Sequence, residues 1–382
     1  MIMRKALTVR LAQGIFSNVM AITYPDGVGE EIPRWHAAVT EAAARFFAVR
    51  MQASWAPGYL AGRGFGKQAW RHWGIGYAPA TWTALTGHLR SLGFADEQIR
   101  AAGMAKVSAH GMLVDVFRDR VMFGVRNLDG AMAGFIGRAP PAASEAVPVY
   151  LNSPTTPLYH KGSVLFGLYE AHDVLASGDA RLVITEGPLD AMAITTAGCG
   201  RYVGVAPCGT ALTSAQVALL AQPLNRAGVR GQAGQAGLVV AFDGDRAGRK
   251  AAVRAYGLLR GGGGDGDACA GEHLAVSFPA GQDPAGILKD HGAAALIRLL
   301  DETVRPLADL VVDECLAQFD RWLQFTDGKF GALHAVAPYI AALPAGQVAR
   351  QVARTADRLE LTYAEVTEAV TAALEPDIHR SA

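Results

Sequence analysis

Between residues 181 and 292 the chain alternates between short apolar runs and segments with helical character. The apolar runs are RLVIT, RYVGVAP, GLVVAFD and HLAVSFP, and the segments that follow them are PLDAMAITTAG, TSAQVALLAQPL, RAGRKAAVRAYGLLR and DPAGILKDHG. Four successive strand–helix units need crossover connections, which build a mostly parallel sheet with helices on its faces. The region therefore predicts an α/β architecture, with the Gly-rich stretches 228–237 and 261–271 as connectors inside it.

Acidic residues follow two of these predicted strands. Glu186 comes directly after RLVIT, with Asp190 four residues later, and GLVVAF leads into Asp243 and Asp245. Ligands of open α/β sheets bind at the carboxyl ends of the strands, and residues two apart in extended chain point the same way. Clustered carboxylates repel one another, and Mg²⁺ binds through a few carboxylates, waters and substrate phosphates. The pattern indicates phosphoryl transfer on nucleotides or nucleic acid.

The remaining sequence predicts a mixed N-terminal part and a helical C-terminal part. Helices are predicted over residues 34–54, 81–93 and 95–103, and a β-hairpin is predicted over residues 115–139. The dipeptide Asp129-Gly130 marks the turn of that hairpin. From about Ala293 the chain is predicted to be almost wholly helical, with a break near residues 325–331. The expected fold class is α/β, or α+β for the whole chain.

Charge is unevenly distributed along the chain. Lys and Arg total 35 and Asp and Glu total 35, so the net charge indicates no partner. Residues 33–172 carry 14 basic and 8 acidic side chains, and the remainder carries 21 and 27. A basic half beside an acidic metal site suits a polyanion, because phosphates attract Lys and Arg. A chance excess on a solvated surface explains the same counts.

Cysteine spacing and hydropathy narrow the class of protein further. The four cysteines are scattered and none forms a C-x-x-C pair, so neither a zinc ribbon nor a disulfide framework is supported. No apolar run approaches the roughly 18 to 20 residues that span a membrane. Residues 1–32 lack a clear signal-peptide cleavage site. We therefore expect a cytoplasmic protein with an N-terminal tail, without zinc and without a membrane partner.

Two motifs carry a resemblance to a known family. The pattern E-G-x-x-D at 186–190 and D-x-D-x-A-G at 243–248 resembles the Toprim domain of DnaG-type primases, type IA and II topoisomerases and several nucleases. Flanking segments then occur in the order found in bacterial DnaG-type primases: YLAGRGF, WGIGYAPATW, DVFRDRVMFGV, GAMAGFIGR, VYLNSPTTPLYHKGSVLFGLYEA, VAPCGTALT, FPAGQDP and TDGKFGALHAVAPYIAALP. Over roughly residues 40–375 the chain is similar to the catalytic core of that family.

The resemblance implies an organisation and an activity. It implies a tail (1–32), a basic mixed α/β primase subdomain (33–172), a Toprim domain with a Rossmann-like parallel sheet (173–295) and a C-terminal helical bundle (296–382). The implied enzyme is a DNA primase, a nucleotidyltransferase that synthesises short RNA primers on single-stranded DNA from ribonucleoside triphosphates. Its implied cofactors are two or more Mg²⁺ or Mn²⁺ ions. A replicative helicase, or a zinc-domain protein in trans, is a further implied partner.

The resemblance also assigns roles to acidic residues. The implied catalytic residues are Glu186, Asp243 and Asp245, and the implied metal ligands are these three with Asp190 and Asp283. Simpler roles exist for each position. Glu186 could be an exposed carboxylate at the end of a strand. Asp190 could stabilise the dipole of the helix that begins at Pro188, and Asp283 could be the N-cap of the next helix. Asp-Gly-Asp also forms turns irrespective of function.

Four other residues match family positions that face nucleotide or template: Arg63, Arg138, Asn152 and Lys161. A lone Arg or Lys is usually a solvated surface residue, so their place within the ordered motifs carries the assignment. Several positions depart from the family pattern: Gly124 replaces a usual Pro, which is tolerable, and two others bear on the site. Val149 stands where a Lys usually precedes Y-L-N-S, and Ala285 stands where a second acid usually follows D-P. The first removes a phosphate contact and the second weakens a metal subsite.

Two rival functions remain at this point. One is a Toprim-type nuclease, although GRGFGKQ has the wrong spacing for a P-loop and the flanking motifs leave little room for the cleavage domain of a topoisomerase. The other is a primase-derived, non-catalytic nucleic-acid-binding protein, which only Val149 and Ala285 support. The usual Cys/His zinc-binding segment of the family is not seen in the sequence. We therefore expect primer extension to be more efficient than initiation, because a bound primer is already positioned.

Overall fold

The computed structural model describes residues 19–23, 29–177, 180–209, 211–226, 236–260 and 272–374. The chain divides into two compact units, residues 1–170 and residues 171–382. Within the described parts of the chain, no helix combines the length and the apolar character needed to cross a membrane.

The first unit is a small antiparallel sheet with helices packed on it. Its strands are β1 (Val19–Thr23), β2 (Gly29–Pro33), β3 (Gly76–Ala78), β4 (Ala105–Val107), β5 (Leu113–Asp115), β6 (Arg120–Arg126), β7 (Met132–Arg138), β8 (Tyr150–Asn152) and β9 (Leu165–Phe166). Its helices are α1 (Arg34–Arg50), α2 (Ala56–Ala61), α3 (Lys67–His72), α4 (Ala84–Ser91) and α5 (Asp96–Ala101), and α6 (Leu168–Ala176) contains the division between the units. The order β3-β6-β7-β8 forms a four-stranded sheet, with every neighbouring pair antiparallel.

Helix α1 supplies the main apolar layer on this sheet. Val39, Ala43, Phe46 and Phe47 are buried, at the spacing that places side chains on one face of a helix. The Phe47 ring lies edge-on to Phe135 of β7, with ring centroids 5.3 Å apart. The predicted helix is confirmed, although its last residues form a 3₁₀ turn over Met51–Ala53.

The predicted hairpin is also confirmed. Strands β6 and β7 pair through a tight turn in which the Asn127 carbonyl accepts from the Gly130 N–H at 2.9 Å. Gly130 has a φ of 84°, a conformation that glycine adopts without steric cost, so the Asp129-Gly130 signal located the turn correctly.

The second unit is built on a parallel sheet. Its strands are β10 (Arg181–Ile184), β11 (Tyr202–Pro207), β12 (Ala236–Val240), β13 (Glu272–Val276) and β14 (Val304–Pro306). Its further helices are α7 (Pro188–Gly198), α8 (Ser214–Arg226), α9 (Arg246–Arg260), α10 (Pro284–Glu302), α11 (Leu307–Ala317), α12 (Thr326–Ala341), α13 (Ala345–Leu359) and α14 (Tyr363–Ala372). Within this unit the strand order is β14-β13-β12-β10-β11. Strands β10 to β13 run parallel and β14 runs antiparallel to β13.

This strand order creates a switch point between two central strands. From β10 the chain crosses through α7 to β11 on one side, and from β12 it crosses through α9 to β13 on the other. The loops that leave β10 and β12 therefore diverge, and a crevice forms at their carboxyl ends. The predicted α/β fold with four strand–helix units is confirmed.

The stretch after Ala293 is almost wholly helical, as predicted, although Val304–Pro306 adds the strand β14, which is too short for period-2 alternation to reveal. Two local expectations need correction. The C-terminal break precedes residues 325–331, since α12 already begins at Thr326. Within the expected N-terminal tail, β1 and β2 pair antiparallel. The predicted connector 261–271 and most of 228–237 lie outside the described residues.

Candidate active site

Glu186 and Asp190 lie on the turn between β10 and α7. Thr185 is fully buried at the end of the strand, where its N–H donates to the Val205 carbonyl at 2.9 Å. Gly187 then takes an extended conformation as N-cap, and Pro188 begins the helix. Proline suits this first helical position because its missing N–H would have no partner there. The turn places both carboxylates at the carboxyl edge of the sheet.

Asp243 and Asp245 lie on the neighbouring turn between β12 and α9. The Asp243 N–H donates to Glu186 Oε1 at 3.1 Å, which joins the two turns directly. Asp245 Oδ1 accepts from the Gly248 N–H at 2.8 Å, the N-cap bond of α9. By contrast, Asp243 Oδ1 is buried and has no hydrogen-bond partner among the described residues.

Two glycines allow this close approach of backbone and carboxylate. A Cβ on Gly248 would stand 2.3 Å from the Asp243 carbonyl oxygen and 2.8 Å from Glu186 Oε1. A Cβ on Gly244 would stand 2.2 Å from the Pro279 carbonyl oxygen. Sequence reasoning did not select these glycines as site residues, although D-x-D-x-A-G contains one of them as a fixed position. The two glycines set how closely the turn that carries Asp243 and Asp245, here called the acidic turn, approaches its neighbours.

Asp283 completes the acidic cluster from the turn before α10. Its carboxylate accepts from the Gly286 N–H and caps the helix. Asp190 Oδ1 accepts from the Ala285 N–H of the same first turn at 3.2 Å. The N-terminal amides of α10 therefore stabilise two of the five predicted carboxylates at once. The simpler role expected for Asp283, an N-cap, is present, and among the described residues its second oxygen accepts no backbone hydrogen bond.

Crowding and burial raise the pKa values of three of these acids. The pKa of Asp243 is raised to about 7, first by desolvation and then by repulsion from Glu186, Asp283 and Asp245. The pKa of Asp190 is raised well above its ordinary range, by desolvation first and then by the charges of Asp283 and Asp243. Desolvation also raises the pKa of Glu186, against the Asp243 N–H, which lowers it. All five acids thus interact electrostatically, as carboxylates that lack a counter-charge do.

The residues fit a hydrated divalent cation better than a closed metal cage. Among the described residues, no three His, Cys, Asp or Glu side chains converge as ligands of one ion. Four of the five carboxylates each commit one oxygen to a backbone amide, and Asp243 commits neither. Mg²⁺ retains several waters and takes one or two carboxylates with substrate phosphates, so the oxygens left over suit it. Asp243, whose buried Oδ1 has no partner among the described residues, could ligate such an ion.

The four predicted template or nucleotide residues all lie in the first unit. The guanidinium carbons of Arg63 and Arg138 lie 5.8 and 4.3 Å from the centroid of the Tyr59 ring. Asn152 lies on β8, and its Oδ1 accepts from the Tyr159 hydroxyl at 3.1 Å. Lys161 is exposed.

Val149 and Ala285, which depart from the family pattern near the site, differ in exposure. Val149 is 58% exposed, and its carbonyl accepts from the Ala139 N–H beside β8. Ala285 is buried and offers only its backbone N–H to Asp190. Sequence reasoning also missed Tyr59 as a partner of the arginines, because Arg138 is far from it in sequence.

Comparisons with known proteins agree with this geometry. Residues 46–172 match the family of DNA primase catalytic core N-terminal domains, and residues 183–285 match the Toprim-like family. A DNA primase of Streptomyces coelicolor is 33% identical over 295 residues, which cover 77% of this chain and 43% of that protein. The chain thus spans less than half the length of this curated relative.

Solved structures extend the similarity to the fold. The RNA polymerase domain of Mycobacterium tuberculosis primase DnaG is 31% identical with a TM-score of 0.70, over 85% of this chain and 98% of that domain. A DnaG primase catalytic domain bound to single-stranded DNA is 26% identical with a TM-score of 0.66, over 86% of this chain and 98% of that one. With both sequence and fold matching nearly the full length of a primase polymerase domain, this chain belongs to the family of bacterial DnaG-type primase catalytic cores.

Proposed function

We propose that this chain synthesises short RNA primers on single-stranded DNA from ribonucleoside triphosphates. The observation that carries the proposal is the cluster of five mutually repelling carboxylates at the switch point of the parallel sheet. Such a site concentrates negative charge at the edge of the sheet where the ligands of open α/β sheets bind. The family to which the chain belongs supports polymerisation as the chemistry.

The proposed cofactors are two or more Mg²⁺ or Mn²⁺ ions, held by Asp243 and Asp245 with Glu186, Asp190 and Asp283. When bound, these ions lower the pKa of a hydroxyl nucleophile and neutralise the phosphates of an incoming nucleotide. Glu186 has a pKa raised by burial, so it also suits a general base that takes the proton of the primer 3′-hydroxyl. Hydrogen bonds from backbone N–H groups hold the carboxylates in place while substrate binds.

The proposed sites for template and nucleotide lie on the first unit. Arg63, Arg138 and Lys161 supply positive charge, and Asn152 supplies an amide to hydrogen-bond polar groups of the nucleic acid. The relative solved with single-stranded DNA supports DNA as the template. A replicative helicase, or a protein that carries a zinc domain, is a further partner proposed from the family alone.

A primer-synthesis assay tests the proposal. The protein is incubated with single-stranded DNA, labelled ribonucleotides and either Mg²⁺, Mn²⁺ or a chelator, and the products are sized. We expect short RNA only when metal is present. The double variant Asp243→Asn/Asp245→Asn should make none while it stays folded, because it loses charge from a crowded site. The control Asp290→Asn removes a 55% exposed acid of α10 and should behave as the parent.

The outcomes separate the rival functions. Shortening of the DNA in place of RNA synthesis would identify a Toprim-type nuclease. DNA binding without either product would identify a non-catalytic binding protein. Undiminished synthesis by the folded double variant would show that the metal site has been assigned to the wrong residues.

A further inference from the structure

One aromatic ring in the first unit lies beneath two positive charges. Tyr59 belongs to α2, one turn before Arg63, whereas Arg138 ends β7. The guanidinium carbon of Arg138 lies 4.3 Å from the ring centroid and that of Arg63 lies 5.8 Å from it. Both distances are within the roughly 6 Å at which the ring quadrupole attracts a cation. The Tyr59 ring is therefore shared by two arginines from different elements, and Arg138 also lies over the Tyr150 ring, 6.0 Å from its centroid.

These two charges lack an acidic partner. In the described part of the chain neither Arg63 nor Arg138 forms an ion pair with a carboxylate, and the Arg138 guanidinium donates to the Ala139 carbonyl at 2.9 Å. An anion that contacts both guanidinium groups would gain attraction from each of them. A guanidinium over a ring face keeps its N–H edge available for a phosphate group.

A second aromatic side chain, Trp55, packs against the Tyr59 ring. Trp55 lies edge-on to Tyr59, with ring centroids 5.8 Å apart, and edge-on to Tyr77 at 6.1 Å. The Trp55 Nε1–H and the Tyr77 hydroxyl both donate to Asp119 Oδ1 at 2.7 Å. We call Trp55, Tyr59 and Tyr77 the aromatic shelf. One carboxylate oxygen thus fixes two of its three rings.

Asp119, which accepts the hydrogen bonds from Trp55 and Tyr77, has an unusual backbone conformation. Its φ is 50°, in the left-handed region that non-glycine residues seldom adopt, and its N–H donates to the Pro79 carbonyl at 3.2 Å. A strained residue that anchors two aromatic side chains is typical of a functional support. The chain of contacts runs from Asp119 through Trp55 to Tyr59 and ends at the two arginines.

We propose that Tyr59, braced by Trp55, Tyr77 and Asp119, is a positioning residue that holds Arg63 and Arg138 as a pair to bind a phosphate group. This inference rests on the proposed function and deepens it. The phosphate belongs either to the template strand or to a nucleoside triphosphate, since both present the same chemistry. The aromatic shelf acts through the arginines and does not touch the reacting atoms.

The first test compares two substitutions of the ring in the full chain. Tyr59→Phe keeps the ring face and should bind single-stranded DNA within about twofold of the parent, whereas Tyr59→Leu should lose about tenfold. The KM for ribonucleotides is measured in parallel. A weaker DNA affinity alone identifies the template phosphate, and a higher KM alone identifies the nucleotide. If neither quantity changes in Tyr59→Leu, the proposal is wrong. Tyr363→Leu removes a tyrosine that is 58% exposed in the second unit and should change neither.

A double-mutant cycle excludes a merely structural role. Tyr59→Leu is combined with Arg63→Gln and Arg138→Gln, and the loss from Tyr59→Leu should then nearly vanish, because the groups that it positions are gone. Additive losses would overturn the proposal. If Tyr59→Leu fails to fold, pentafluorophenylalanine at position 59 retains the ring size and reverses its quadrupole. We expect that protein to lose DNA or nucleotide affinity with an unchanged Tm, and an unchanged affinity would overturn the inference.

These results are distinguishable from a failure of the proposed function. A parent protein that binds DNA through the arginine pair yet makes no RNA would overturn primer synthesis and leave the role of Tyr59 intact. A parent that makes primers, with Tyr59→Leu equal to it in DNA affinity and KM, would overturn only the role of Tyr59.

Discussion

In the second unit crowded carboxylates are held by backbone amides, whereas in the first unit two guanidinium groups lie over an aromatic ring. Hydrogen bonds from backbone amides are directional, and three of the four amides that hold the carboxylates belong to the first turns of α9 and α10, so the positions where these helices begin largely fix the acidic site. A ring face attracts cations with little directional demand, so the basic site keeps its N–H groups for a ligand.

The two sites therefore respond to different kinds of substitution. The acidic site depends on backbone approach, and it is sensitive to added volume at a glycine. The basic site depends on side chains, and it is sensitive to loss of charge.

The largest effect is expected from a methyl group in the acidic turn. Gly248→Ala places a Cβ against the Asp243 carbonyl and Glu186 Oε1, at 2.3 and 2.8 Å. The turn must shift, and we expect primer synthesis to fall about 100-fold, because small displacements of catalytic groups have effects of this size. The overpacking should also lower the free energy of unfolding by about 1 to 3 kcal/mol.

The same helix offers the control. Gly257 is exposed in α9 and a Cβ there meets nothing within 4 Å. Gly257→Ala should raise the free energy of unfolding by about 0.5 to 1 kcal/mol, because the unfolded chain loses freedom. Synthesis should be unchanged. Similar behaviour of the two variants in both measurements would show that close backbone approach is not what the acidic site needs.

The second prediction concerns the basic site. Arg138→Gln should weaken single-stranded DNA binding about tenfold, as expected when a charged hydrogen bond to phosphate is lost. The slope of log affinity against log salt should shrink by about 0.7 for the lost contact. Titrations by fluorescence anisotropy at several salt concentrations measure both quantities. Arg100→Gln removes an exposed charge of the same unit and should leave both near the parent values; equal losses from the two variants would indicate a diffuse charge effect.

The third prediction is a pH dependence specific to the acidic site. The folded pKa of Asp243, about 7, lies above that of the unfolded chain, so ionisation opposes folding. In the presence of a chelator, the contribution of Asp243 to stability should be fully present below the ordinary pKa of the carboxyl and should be lost as the pH rises through about 7. Thermal melts at pH 5 and pH 8 measure the loss, and Mg²⁺ should reduce it. Asp243→Asn should make this dependence shallower, because among the five acids only Glu186 and Asp190 then retain raised pKa values, whereas Asp290→Asn should retain the full dependence; an equally steep loss in both would contradict the assignment.

The smallest effect tests a departure from the family pattern. Val149 is 58% exposed next to β8, and Val149→Lys returns a positive charge to the basic site. We expect DNA affinity at low salt to rise about two- to threefold, because exposed charges act weakly through solvent. Val147→Lys adds the same charge at a neighbouring exposed residue. A gain no larger than that of Val147→Lys would show that the position itself carries no contact.

Much of the fold and the grouping of the acids could be predicted from sequence. Apolar runs with intervening helices indicate a parallel sheet, and the carboxyl ends of neighbouring strands meet, so Glu186 and Asp243 were expected close together. What sequence could not supply is which oxygen each carboxylate commits to an amide, since that depends on where α9 and α10 begin in space. The Tyr59–Arg138 contact was equally invisible, because it joins α2 to the end of β7.

Strand β14 has a consequence for how this protein behaves at high concentration. Its three residues lie against β13 at one side of the sheet and include a charged Arg305 and a proline that cannot donate a backbone hydrogen bond. An unpaired strand edge is a template for association with other chains, and short strands with charge and proline resist it. At this side of the sheet the short strand β14 therefore disfavours pairing with other chains. Lengthening β14 with β-branched residues should reduce the solubility of the protein.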